Sequence, residues 1–484
     1  MHAMLVAVML FVPAAATAAG STFAVVQQPG GKTIYIAPGG DDAANGLTPA
    51  TAMATLESAQ WRAGPGDTIE IAGGTYRWTG GTWLGIAGTP TNWIVVRARL
   101  RDGRPEKVVI QGDGQARERN YCLGTGGDHL DIRNLGCNDF AEFAVLIYGG
   151  HHVRLAGMTL TKLGNSGIAV YSDREGSRQA YEVLIENNRI VDTNRRWLGA
   201  VDKSGWGQGI SMFGDRITVR GNQIGQTRGE GIGIAGVDNR VVANTVRDSC
   251  SVGIYLDTTS RSLIERNFVI QGKTAAARAF FATCQQSSFS NGAPLFGTGI
   301  QIASETSTYT ALPQERLVGN TIRNNIVVNT RIGLAYGSYG FDAGGGDGMT
   351  ATIIVNNSFV DGVERAVFIE TGLRSQHRDT VIANNIFYWP SGNQQPSVLI
   401  TAMTGLAFSS NLWSGIAAGS ATGSGDVNAD PRFTDVAGAT PPAFRPVVGS
   451  PAQAAGNPAY RPTLDFYGQP RTGPSVDMGA LIVR

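Results

Sequence analysis

Charge is what this chain has least of. Charged residues make up 16% of its 484 positions and the formal net charge is +1. No strong field therefore gathers nucleic acid or an anionic membrane surface, and neither is expected as a partner. Lysine stands only at Lys32, Lys107, Lys162, Lys203 and Lys273. Beyond the N-terminal stretch there is no apolar run of the roughly 18 residues that a membrane-spanning helix requires. Cysteine is limited to Cys122, Cys137, Cys250 and Cys284, with no CxxC or Cys/His spacing of a zinc site.

Leu5 to Val12 forms a short apolar core, followed by the small-residue run Ala14 to Ala19. That pattern reads as an export signal cleaved near Ala19, which implies a secreted or periplasmic protein. Cysteines are free to pair in such a compartment, and four of them allow three connectivities. Neighbouring order favours Cys122 with Cys137 and Cys250 with Cys284, with buried free thiols as the alternative.

Glycine is abundant at 65 residues, and the hydrophobic share of 42% is ordinary. The length exceeds what one compact core supports, so either several domains or an elongated repeat is required. Residues 33–76 open with a strand at Thr33–Ile36. A helix-like stretch follows from Thr51 to Arg62, with Met53, Leu56 and Ala59 on one face, and then a strand at Thr68–Ile71. The helix is expected to cover the open end of a sheet stack.

From about residue 108 two phrases recur in the same order. An Asn precedes a short apolar strand at Asn188, Asn222, Asn244, Asn267, Asn325, Asn357, Asn385 and Asn411. A Gly precedes alternating apolar residues at Gly167, Gly209, Gly231, Gly253, Gly299 and Gly333. Asn222, Asn244 and Asn267 mark a period in the low twenties. Such a period, without a leucine ladder, fits an all-β solenoid: a right-handed parallel β-helix with apolar residues inward and variable ones outward. Stacked Asn side chains are expected to share hydrogen bonds between coils, and Gly to supply left-handed corners. Insertions at 172–181, 192–207 and 272–297 are expected to wall a groove. The expected organisation is a signal at 1–19, a capped β-helix at 33–415, and a closing segment rich in Gly, Ala, Pro and Ser at 416–484.

These phrases resemble the pectate-lyase-like superfamily of secreted right-handed β-helix proteins. The opening Tyr35-Ile-Ala-Pro-Gly-Gly-Asp and the later Ala63-Gly-Pro-Gly-Asp-Thr-Ile-Glu-Ile are similar to the start of many members. The resemblance spans about residues 33–484. It implies a polysaccharide-degrading enzyme, foremost a lyase cleaving a uronate-containing glycan by β-elimination. Members also include glycoside hydrolases, epimerases and non-catalytic adhesins, so the fold does not name the reaction. The Asp-Pro-His signature of alginate epimerases is missing. Where lyases resembling chondroitinase B carry Lys and Arg one coil apart, this chain has Phe213 and Ala235.

With Ile210, Ile232, Ile254 and Ile300 inward, the outward positions hold Ser211, Gly233, Tyr255 and Gln301, then Phe213, Ala235, Asp257 and Ala303. Glu305 lies two residues beyond Ala303. If its strand neighbours that of Asp257, the two carboxylates come within roughly 5–9 Å, a range that serves glycoside hydrolysis. Glu230, at a strand entrance, is a further catalytic carboxylate, and Asp173 and Glu175 are candidate Ca²⁺ ligands. A lyase instead needs a base and a cation to neutralise the uronate; Lys203 is the candidate base and Arg228 a substrate-binding cation, with Arg196 and Arg174 further candidates. Trp197, Trp206, Tyr255, Tyr336 and Gln301 are expected to line the groove, the aromatic rings packing on sugar faces. A monomer is expected, because a solenoid closes its own ends.

Overall fold

The computed structural model describes residues 30–484, apart from 79, 115–120, 173–178, 199–206, 287–296, 306–315, 340–347, 370–375, 391–397 and 401–402. The chain winds through three long parallel sheets, two of 13 strands and one of 11. Sheet A runs from Thr33–Ile36 to Leu406–Ser409, sheet B from Gly74–Arg77 to Val427–Asn428, and sheet C from Thr82–Leu84 to Val398–Ile400. Each coil visits sheet A, sheet B and sheet C in turn. This is the parallel β-helix that the repeat implies.

Alternation sorts each strand into an inner and an outer set. In sheet C, Ile168, Ile210, Ile232, Ile254 and Ile300 stand in register on successive strands, and all are fully buried. The interior ends in an aromatic stack of Phe359, Phe387 and Trp413, with centroids 5.2 and 4.3 Å apart.

Two residues turn sheet A into sheet B in every coil of the repeat from residue 186 onward. The first takes a positive φ, as at Asn187 (54°), Ala243 (55°) and Asn324 (54°). The second is the repeated Asn. Its side-chain amide donates to the next Asn Oδ1 at 2.9–3.1 Å, without a break from Asn188 to Asn411. The same oxygen also accepts the backbone N–H of the donating Asn. Asp426 ends the series, its carboxylate accepting from Asn411 N at 2.8 Å and Trp413 Nε1 at 2.9 Å.

The glycines before the sheet C strands do a different job from the one expected. None of Gly167, Gly209, Gly231, Gly253, Gly299 and Gly333 has a positive φ. They are required by close approach instead: a Cβ on Gly231 would lie 2.3 Å from Val246 Cγ1 and 2.5 Å from Gly253 O. Left-handed corners fall at other turns. In the A-to-B turn Asn, Arg, Ala and Ser serve as well as Gly.

Helix α1 is shorter than the pattern suggests, Leu56–Gln60. Asp42 accepts hydrogen bonds from Ala54 N and Thr55 N, both at 2.9 Å, which holds that stretch extended. Thr55 then caps the helix through Ser58 N. Met53, Leu56 and Ala59 are buried in the core below the first strands.

The cysteines pair as neighbouring order suggests, Cys122 with Cys137 and Cys250 with Cys284. The second bridge ties helix α2, Ala275–Ala282, to the outer wall, where Phe280 and Phe281 pack on Cys250.

The segment after 415 covers the last coil and then returns along sheet B. From Phe268–Ile270 onward, sheet B strands are apolar outside as well as inside: Phe268, Ile270, Ile326, Val328, Val360 and Leu412 are all buried. A sheet with two apolar faces needs a cover. Phe433, Phe444, Ala452, Met478 and Leu481 supply it. Asn324 and Asn356 Nδ2 hold this layer through Leu464 O and Asp477 O, both at 2.8 Å.

Candidate functional site

The charged residues are distributed unevenly among the three sheets. Sheet A carries them in mutually neutralising sets on its outer face. Asp131 is fully buried between Arg133 (2.9 Å) and Arg154 (3.4 Å). Burial raises its carboxyl, and the two guanidinium groups offset part of that rise. Burial would likewise raise Glu186, but Arg220 and Arg154, at 2.7 and 2.6 Å, hold it below the ordinary range.

Sheet C is almost free of charge. Across its eleven strands the only charged residues are Asp257, Glu305 and Arg365. Asp257 closes the strand Val252–Asp257 and stands opposite Ala303 in the strand Thr298–Glu305. Glu305 follows two residues later, at a position of the same parity. At about 3.3 Å per residue and about 4.8 Å between strands, the two backbone positions lie roughly 8 Å apart. The condition that the strand of Glu305 neighbours that of Asp257 is met: Val252 and Thr298 are register partners on adjacent strands. Glu305 belongs to the described backbone, and its side chain falls outside what is described.

The outer face around Asp257 is covered. Ser211, Ala235, Tyr255, Asp257, Gln301 and Ala303 are each less than a tenth exposed. Tyr255 packs with Val252 and Ala303, and Gln208 lies across Gly233, where a Cβ would meet its Nε2 at 2.4 Å. Thr258 Oγ1 donates to Asp257 Oδ1 at 3.2 Å. Glu230 is buried as well, at 3% exposure, at the strand entrance that also holds Gln208 and Val252.

Sequence reasoning missed the accessible part of this face. Tyr148, Tyr171 and Phe213 stand in register on three successive strands, followed by Ala235. Tyr148 is exposed and the other two are half-buried. Tyr171 and Phe213 touch at a 5.3 Å centroid distance, and Tyr171 Oη meets Ser211 Oγ at 3.1 Å. The signal was present in the sequence: each of these aromatics ends its strand one residue after an inward Ile, Val or Met.

Two expected groove residues are corrected. Tyr336 pairs in register with Ile302 and Ile369 and is 1% exposed, inside the coil. It follows Leu334 by two residues and so shares its inward parity. Arg228 is not available to a substrate. Its guanidinium donates to Asp192 Oδ1 at 2.7 Å and to Thr283 Oγ1 at 3.2 Å, and it lies 5.2 Å from the centroid of the Phe280 ring. It fastens the wall that holds α2 to the coil. Arg196 is likewise held by Glu142.

Several expected residues fall outside the described residues: Asp173, Glu175, Arg174, Lys203, Trp206 and the side chain of Trp197. The N-terminal export signal does too. Among the described residues, no group of three or more His, Cys, Asp or Glu is placed to hold a metal ion, and no helix is long and apolar enough to cross a membrane.

Comparison with known proteins agrees with this architecture. Residues 143–387 match the right handed beta helix region family. The match covers half of the chain, and the chain belongs to that family. No curated protein matches it in sequence. Among solved structures, the pectate lyase Pel9A is similar at 15% identity and TM-score 0.54, over 96% of this chain and 98% of that one. XylC, solved in complex with xylose, is similar at 12% identity and TM-score 0.55, over 83% and 87%. At these identities what is shared is the fold.

Proposed function

We propose that the protein is a secreted polysaccharide-degrading enzyme, and that it hydrolyses glycosidic bonds with Asp257 and Glu305 as the acid and base pair. One observation carries this reading. Those two residues are the only carboxylates in eleven strands of sheet C, and they fall on neighbouring strands at positions of like parity. Backbone positions roughly 8 Å apart let the two carboxyl groups reach the separation an inverting mechanism uses, in which one carboxylic acid protonates the leaving oxygen and the other carboxylate activates a water. Asp257 is assigned the acid role because it is covered, and burial disfavours a charged carboxylate. The accessible column of Tyr148, Tyr171 and Phe213 leads toward this pair, one aromatic per coil. A coil spacing of about 4.8 Å lets rings on successive coils follow the apolar faces of an extended glycan.

The β-elimination reading on a uronate glycan asks for a cation and a base on the same face. From the start of sheet C to Ile332–Tyr339 its strands contain neither Lys nor Arg. That reading therefore rests on Lys203.

The test is a screen of neutral and acidic polysaccharides with the purified protein, with and without a chelator. New reducing ends without an unsaturated, ultraviolet-absorbing product support hydrolysis. An absorbing product means a lyase, and neither signal means a glycan-binding protein. Loss of activity in chelator would bring in a cation such as Ca²⁺, for which Asp173 and Glu175 are the residues to substitute.

A further inference from the structure

Three of the chain's five histidines gather where the proposed chemistry does not use them. His129, His151 and His152 lie at the corner between sheets C and A, in two successive coils. His129 and His152 stack with centroids 4.6 Å apart and planes 13° apart. Trp93 meets His129 edge-on at 5.4 Å. His151 stacks on Tyr181 at 4.5 Å, and Arg216 lies over the same tyrosine at 5.0 Å. The backbone repeats a left-handed conformation through His129, His152, Glu182 and Arg216, with φ between 52° and 56°. That repetition keeps the corner in register.

The nitrogen atoms pose a counting problem. His151 Nδ1 and His152 Nδ1 are 2.8 Å apart. The opposite nitrogens face carboxylates: His151 Nε2 is 3.2 Å from Asp128 Oδ2, and His152 Nε2 is 2.6 Å from Glu182 Oε2. An ionised carboxylate offers only lone pairs, so each Nε2 must carry its hydrogen. A neutral imidazole has one N–H. Two neutral rings would then turn bare lone pairs on each other across the short gap between the Nδ1 atoms. A hydrogen bond at that distance needs a proton between them. Two rings with three ring protons are one imidazole and one imidazolium.

We propose that His151 and His152 share one proton between their Nδ1 atoms at neutral pH, forming a proton-dependent clasp at the corner between sheets C and A. Asp128 and His129 face the pair from the preceding coil, and Tyr181 and Glu182 from the following one. Beyond them Arg216 pairs with Glu182 at 3.1 Å, and Asp215 bridges to Tyr181 through the backbone. Arg154, on the same strand as the pair, is occupied by Asp131 and Glu186. The pair titrates as a unit in two steps. The first proton is held by two carboxylates and the shared bond. The second is opposed by burial and by the other ring, and burial is what places His151 below the ordinary imidazole range. His129, buried beside both rings, is lowered for the same reasons. Stability from the shared proton is lost as pH rises and that proton leaves; it is lost again as pH falls and a second proton enters, because two imidazolium rings have no lone pair left to share. His151 follows Tyr148 by three residues, so loss of the clasp loosens the edge of the accessible aromatic face.

Nitrogen-15 NMR of the full chain labelled at histidine, followed from pH 5 to 9, tests the proposal without any substitution. The expected result is a coupled pair that carries one shared proton at about pH 7, seen as two inequivalent rings whose Nδ1 signals move together. His152→Gln assigns the signals, and it should remove the upper step and leave His151 titrating below the ordinary range. Two rings titrating independently near the ordinary value would overturn the proposal. So would two rings neutral throughout. Signals that shift on adding EDTA or Zn²⁺ would overturn it in favour of a bound metal.

Discussion

Asn267 donates its side-chain amide to Asn325 Oδ1 at 3.0 Å, although 58 residues separate them in sequence. The whole insertion that carries helix α2 lies between the two. The bond is the same as those between Asn residues 22 or 23 apart, so the insertion leaves the coil geometry untouched. Asn267→Ala would leave the buried Asn244 backbone N–H without its acceptor and Asn244 Nδ2 with only its bond to Val219 O. Each orphaned group costs about 1–3 kcal/mol. A loss of roughly 2–5 kcal/mol is expected in urea unfolding. Asn267→Asp should cost more, because it sets a buried charged carboxylate against the lone pairs of Asn325 Oδ1 and Val241 O.

His377 provides a pH prediction of known sign. Its Nδ1 accepts from Met349 N at 3.1 Å, and its ring meets Tyr336 edge-on at 4.7 Å. Its Nε2 is buried with no hydrogen-bond partner among the described residues. Burial lowers it from 6.5 to about 4. The fold thus binds the neutral ring, so this contribution is present above pH 6.5 and is lost as pH falls toward 4. At about 1.4 kcal/mol per pH unit the loss approaches roughly 3 kcal/mol. Between pH 7 and pH 4.5 the urea midpoint should fall further for the native chain than for His377→Gln.

Arg228 and the Cys250–Cys284 bridge should behave as wall fasteners. Closing a loop of 34 residues is worth roughly 3–4 kcal/mol in the chain-entropy account. Cys284→Ala should lower thermal stability accordingly. Arg228→Gln, which breaks a largely buried pair with Asp192, should cost about 1–3 kcal/mol and leave KM unchanged. A large rise in KM for Arg228→Gln, with no change in stability, would return it to the substrate site.

The accessible aromatics should act on binding. Tyr171→Ala and Phe213→Ala each remove a stacking surface worth about 1–1.5 kcal/mol. KM is expected to rise roughly tenfold for each, with kcat little changed. Steady-state kinetics on the polysaccharide found by the screen would check this.

Most of the fold could be read from the sequence because the β-helix repeats its constraints. All eight Asn of the ladder and the inward Ile column follow from period and alternation alone. Parity also placed Asp257 and Glu305 on one face. What escaped was whatever depends on cover. Outward parity does not mean exposure, and Tyr255 and Gln301 are outward but buried. Tyr336 was misplaced because its aromatic character outweighed its inward parity. The histidine corner escaped for another reason. His129 stands a full coil before His151 in the sequence, and only the coil register brings their side chains together. The role of Arg228 depended on Asp192, in the sheet B strand Arg189–Thr193, and on Thr283, 55 residues away in an insertion whose path no period encodes.

The central claim is that Asp257 and Glu305 act together on a glycosidic bond. The most direct test compares the native chain with Asp257→Asn and Glu305→Gln on a hydrolysed glycan, after circular dichroism and thermal unfolding confirm that all three are folded. Reducing-end release should fall at least about a thousandfold in each variant, toward what remains when an acid or base group is lost. The products of the native chain should carry the inverted anomeric configuration by NMR. Activity retained in either folded variant, or an unsaturated product from the native chain, would contradict it.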